Sequence, residues 1–144
     1  MISCTETILV YNEFFLFLEE RHGRQAVETY WHFVADTAFD GPRAAIREGG
    51  LDAVYDYLRE TWGEEGDVFD IERDETSVRV TVHNCSSVRK LRKAKHITRY
   101  ADYCGHCPVM YARLFDDLGY DFEMDRTDPE KGICSVRVSR RPES

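Results

Sequence analysis

The chain has 144 residues, 27 acidic against 19 basic side chains, and a net charge of −8. That length suits a single domain with its own core, and its apolar residues fall in periodic blocks, which argues against disorder. No apolar run approaches the ~20 residues that span a bilayer, and the start Met-Ile-Ser-Cys-Thr-Glu lacks the basic and apolar regions of a signal peptide, so a cytoplasmic, reducing location is the expectation.

The first part, residues 1–66, reads as helical. Ser3 and Glu6 fit a capping box, followed by Tyr11, Phe14, Phe15 and Leu18 at helical spacing up to Gly23. A second helix is predicted over about 24–39, with Ala26, Tyr30, Phe33, Val34 and Thr37 on one face. Asp40-Gly41-Pro42 breaks it, a short helix over 43–48 follows, and Gly49-Gly50 makes another break. Leu51, Val54, Tyr55, Leu58 and Trp62 then form an amphipathic helix ended by Gly63 and Gly66.

From residue 67 to 140 the period changes. Residues 68–73 and 77–83 read as a hairpin, with Val78, Val80 and Val82 alternating against Arg79, Thr81 and His83. A basic helix or loop is predicted over 86–95, and a helix over about 98–118 carries Tyr100, Cys104, Cys107, Tyr111, Leu114 and Leu118 on one stripe. A second hairpin, 120–126 and 133–140, closes the domain. The expected fold is one α+β domain over 1–144: N-terminal helices on an antiparallel sheet of two β-hairpins flanking a Cys-bearing helix, with 67–140 as a ββααββ half.

Cysteine usage carries the chemistry. Cys4 stands alone, but Cys85, Cys104, Cys107 and Cys134 follow the spacing C-x18-C-x2-C-x26-C. In a reducing compartment such residues serve more often as metal ligands or catalytic groups than as structural disulfides. Short antiparallel connections place the end of the second strand, the start of the long helix and the start of the fourth strand at one end of the sheet. Cys104, Cys107 and Cys134 are therefore expected to converge. Cys85 is in phase with exposed Arg79 and His83, so it joins them only if its strand ends early or bulges.

The predicted ligands are thus Cys104, Cys107, Cys134 and Cys85, holding Zn²⁺ or, alternatively, a 4Fe–4S iron–sulfur cluster. His83 and His106 are alternative ligands. Between Ser77 and Ala101 there are seven basic residues and no acid. Arg89, Lys90, Arg92, Lys93 and Arg99 are expected to lower the cysteine pKa values. This stretch is read as a solvated face beside the thiolates rather than a nucleic-acid surface. Cys104-Gly105-His106-Cys107 is also the disulfide isomerase tetrapeptide, which keeps a thiol–disulfide oxidoreductase open. The apolar strand that leads into that motif in thioredoxin folds is missing here.

Val80-Thr81-Val82-His83-Asn84-Cys85, Tyr103-Cys104-Gly105-His106-Cys107-Pro108 and the run Asp128–Val136 around Cys134 resemble the L-2-amino-thiazoline-4-carboxylic acid hydrolase-like family. More distantly they resemble vinyl-reductase-type small-molecule-binding domains. The resemblance covers about residues 67–140. It implies either hydrolysis of a C–N bond in a cyclic amidine or thiazoline, or a non-catalytic sensor with structural zinc beside a ligand pocket. On either reading the partner is a small, anionic ligand or substrate, with Arg89, Arg92 and Arg99 as candidate anchors for its carboxylate. A homodimer is left open.

Overall fold

A computed structural model describes residues 3–142. Helix α1 spans Cys4–His22 and opens on the expected capping box: Ser3 Oγ accepts from Glu6 N–H at 3.1 Å while Ser3 N–H donates to the Glu6 carboxylate at 2.8 Å. Helix α2 is Arg24–Ala38. Its buried stripe is Val27, Trp31 and Ala35 rather than the face predicted, and Phe33 is 60% exposed. Both stripes are apolar at helical spacing. Packing against α5 selects the one that carries the tryptophan.

Helix α3, Asp40–Glu64, starts at the first predicted break, after non-helical Phe39, and is two helices joined at the second, where Gly50 takes φ 60, ψ −139. Strands β1 (Val68–Arg73) and β2 (Ser77–Asn84) form the first hairpin. Helix α4 is Ser86–Lys93 and α5 is His106–Asp116; β3 (Tyr120–Asp128) and β4 (Ile133–Arg140) form the second hairpin. The single helix predicted over 98–118 is thus only α5, preceded by an irregular segment and a 3₁₀ turn at Tyr103–Gly105. Asn12 explains the irregular part. This fully buried side chain accepts from Tyr100 N–H at 2.7 Å and donates to the Thr98 carbonyl at 2.9 Å, so those backbone groups are paired outside a helix.

The fold is α+β, with a four-stranded antiparallel sheet in the order β1-β2-β4-β3. Each hairpin is local, and the two join through β2 and β4 in the centre, where Val78 faces Val138 and Val80 faces Val136. One face of the sheet is covered by α3 and α5, whose Val54, Leu58, Leu114 and Phe115 meet the buried valines of β2 and β4. The other face carries Arg79, Arg137 and Glu123, which are exposed. Helices α1 and α2 form an outer layer against α4 and α5, with a second apolar cluster centred on Phe15, Trp31 and Tyr100. The helical half is therefore two layers, of which chiefly α3 reaches the sheet. Among the described residues no helix is long and apolar enough to cross a membrane.

Candidate metal centre

Cys85, Cys104, Cys107 and Cys134 line one cavity of about 60 Å³ at the end of the sheet. Each comes from a different element. Cys134 is the second residue of β4, opposite Val82 and in phase with Val136 and Val138. Cys104 sits in the 3₁₀ turn and Cys107 in the first turn of α5. Cys85 is the residue before α4. It reaches the cavity because β2 bulges: Val68 pairs with Asn84 but Phe69 pairs with Val82, leaving His83 as an extra residue. That insertion reverses the side-chain phase just before Cys85. All four are free thiols.

Close backbone contact seals the corner between Cys85 and the second hairpin. Cys85 N–H donates to the Gly132 carbonyl at 2.9 Å. A Cβ on Gly132, whose φ is +72, would lie 2.9 Å from Cys85 Cβ and 3.0 Å from Val88 Cβ. Trp62, Val88, Met124 and Ile133 give the cavity apolar walls. Gly105, inside the C-x-x-C, is explained by Asp102, whose carboxylate occupies the space a side chain there would need.

Charge is arranged otherwise than predicted. Helix α4 turns Val88 and Leu91 inward, so Arg89 and Arg92 face away and line a separate surface recess with Lys93 and Lys95. Neither lines the cysteine cavity, which removes the geometric basis for their role as anchors of a ligand held there. Arg99 stands behind two of its lining residues, donating to Cys104 Sγ at 3.4 Å and to the Pro129 carbonyl at 2.9 Å. Arg126 itself lines the cavity, tied to Asp102 at 2.8 Å, and Asp102 in turn holds Arg24 of α2 at 2.7 Å. Neither Arg126 nor Asp102 stood out in the sequence, since each is one charged residue in a charged chain.

Burial therefore governs the thiols. Desolvation, then the Asp67 carboxylate, pushes Cys107 up to about 12, against the lowering effect of Arg126. Cys85 is pushed up to about 12 by burial and then by Asp67 and Cys107, despite backbone N–H groups of α4 that favour its thiolate. Cys134 also rises to about 12, by burial and the other three cysteines. Cys104 is raised by burial and Cys107, with Arg99 opposing. Of the bases expected to lower these pKa values only Arg99 does so, at Cys104, and burial outweighs it; Arg89 and Arg92 lie on the outer face of α4, where water screens them.

The two candidate histidines separate. His83 is exposed and its Nε2 lies 2.7 Å from the Asp70 carboxylate, away from the cavity. His106 lines the cavity; its Nδ1 meets the Tyr103 carbonyl, so Nε2 is left facing Cys107 Sγ at 3.4 Å. Burial lowers its pKa and keeps the ring neutral. A ring fixed this way presents an acceptor nitrogen, suited to a thiol proton or to a metal.

Among the described residues no group of three or more His, Cys, Asp or Glu is drawn closely enough together to hold a single metal ion. A tetrahedral zinc ion gathers its sulfur ligands at about 2.3 Å from one point. The four cysteines line a space of about 60 Å³. Cysteine thiolates serve as ligands in both zinc and iron–sulfur sites. Comparison with family models, with curated proteins and with solved structures finds no match to the chain.

Proposed function

We propose that Cys85, Cys104, Cys107 and Cys134 hold a thiolate-ligated metal centre, and that this centre is an iron–sulfur cluster. The protein is then a redox or ligand-sensing module. The observation that carries this reading is that four cysteines from four separate elements line one cavity. A bound cluster supplies one-electron chemistry or sensitivity to oxidants. The chain's own residues shape the surroundings: Trp62, Met124 and Ile133 exclude water, while Arg99 and Arg126 offset thiolate charge. The raised thiol pKa values mean that metal binding must displace bound protons, so loading strengthens as pH rises.

Anaerobically purified protein gives the test, through its absorption spectrum and its iron, sulfide and zinc content. The expected result is a brown protein with iron and sulfide, whose visible absorption is lost or shifted in each of the four Cys→Ser variants. One zinc per chain and no colour refutes the cluster and returns the zinc-binding sensor of the vinyl-reductase type. Metal-free protein whose Cys104–Cys107 disulfide cycles readily refutes both and selects the oxidoreductase.

The Cys107–His106 contact favours a second reading, the hydrolase that the family resemblance implies. A thiol beside a neutral imidazole is the arrangement that activates a nucleophilic cysteine. Against it stands the cavity, about 60 Å³ where small-molecule sites occupy about 300–1,000 Å³. Turnover of a thiazoline carboxylate that Cys107→Ser abolishes, in metal-free protein, would establish this reading in place of the first.

A further inference from the structure

The recess on the outer face of α4 lies apart from the cysteine cavity and shares none of its lining residues. Arg89, Arg92, Lys93 and Lys95 line it, and it is an open hollow of about 420 Å³. No acidic residue occurs anywhere from Ser77 to Ala101. Elsewhere among the described residues of this acidic chain many cations find acids, as where Arg141 takes both Asp116 and Asp121 and Asp102 takes both Arg24 and Arg126, although Arg79 and Arg137 on the open sheet face do not. Among the described residues, Arg92, Lys93 and Lys95 make no ion pair, and Arg89 donates only to the Gly66 carbonyl at 3.2 Å. Four cations lining one recess with no acid among them make the local potential positive, which favours an anion there.

Helix-dipole compensation accounts for only part of the cluster. Arg92 and Lys93 lie in the last turn of α4, where positive charge is favourable. Arg89 lies a turn earlier, and Lys95 lies beyond the helix, brought back by the turn in which Lys95 N–H meets the Lys93 carbonyl at 3.0 Å. The opposite face of α4 is fixed by buried Val88 and Leu91, so the cationic face is presented on an anchored support.

We propose that this recess is a binding site for a polyphosphate anion, whether a free triphosphate or the triphosphate of a nucleotide. Two guanidinium forks and two ammonium groups match a chain of phosphoryl groups carrying three to four negative charges. A single carboxylate needs only one of them. The volume falls in the range of small-ligand sites.

Titration calorimetry of the full chain at low salt tests this, with sodium tripolyphosphate, ATP and a short DNA duplex as separate ligands. Tripolyphosphate should bind, weaken steadily with added salt, and lose at least tenfold in affinity in the double variant Arg92→Ala/Lys93→Ala. Arg137→Ala, on the exposed sheet face, should leave binding unchanged, and circular dichroism checks that each variant is folded. Equal binding of ATP and tripolyphosphate assigns the site to the phosphates alone; tighter ATP binding assigns it to a nucleotide. No binding at millimolar tripolyphosphate, equal loss in Arg137→Ala, or DNA binding that tripolyphosphate does not displace would each overturn the proposal.

Discussion

Replacing Gly132 by alanine tests the close approach that shuts the cysteine cavity. Two costs add. Gly132 has φ +72, a left-handed backbone that costs an L-residue with a Cβ about 1–2 kcal/mol. The new methyl would also stand 2.9 Å from Cys85 Cβ, 3.0 Å from Val88 Cβ and 3.1 Å from Cys85 N. None of these is the flexible end of a side chain, so the first turn of α4 must move, and overpacking of this kind costs about 1–3 kcal/mol. The sum is about 2–5 kcal/mol, or a fall in Tm of about 6–15 °C at ~3 °C per kcal/mol. Gly119→Ala is the matched control, because its φ is +78 and nothing lies within 4 Å of the added Cβ. It should show the backbone cost alone. Thermal unfolding followed by circular dichroism reads both variants. Equal destabilisation would refute the reasoning, since it would mean that no contact between the β3–β4 turn and α4 resists the methyl group.

Asn12→Ala should destabilise by about 2–4 kcal/mol, because the Tyr100 N–H and Thr98 carbonyl lose their partner inside the fold. Hydrogen exchange should localise the loss to residues 98–103, and faster exchange spread evenly over the chain would argue against that bond. Asp74 accepts from Thr76 N–H, Ser77 Oγ–H and Ser77 N–H, which lower its pKa to about 2. A lowered folded pKa contributes stability above the unfolded value near 4 and loses it as pH falls toward 2. Asp74→Ala should therefore melt below the parent at pH 7, with the gap closing between about pH 4 and pH 2. A gap that stays constant over that range would show that the hydrogen bonds do not depend on the carboxylate charge.

Patterning made the architecture legible. The alternating valines of β2 and β4, the Ser3–Glu6 cap and the glycine-ended helices each encode their element locally, and the convergence of Cys104, Cys107 and Cys134 followed from short connections alone. Three features lay beyond that logic. The irregular segment 94–102 depends on Asn12, 86 residues away from its partner Thr98. The choice between two apolar stripes on α2 depends on what α5 offers it. The rise of the cysteine pKa values comes from their burial, and α4 turns Arg89 and Arg92 outward, where they do little to oppose it. Arg126 and Asp102 were invisible for a related reason: a charged residue gains a role only from its neighbours in space.

The extra residue in β2 has a consequence for how such a chain varies by descent. Deleting His83 would remove one codon and leave every cysteine in the sequence. Regular alternation would then resume, and the thiol after Asn84 would turn to the solvent side, leaving three sulfurs around the cavity. Two chains with identical cysteine counts and almost identical spacing could thus differ in whether the fourth thiol is indoors. Counting cysteines would place them together; only the pairing of Val68 and Phe69 across the strand would tell them apart.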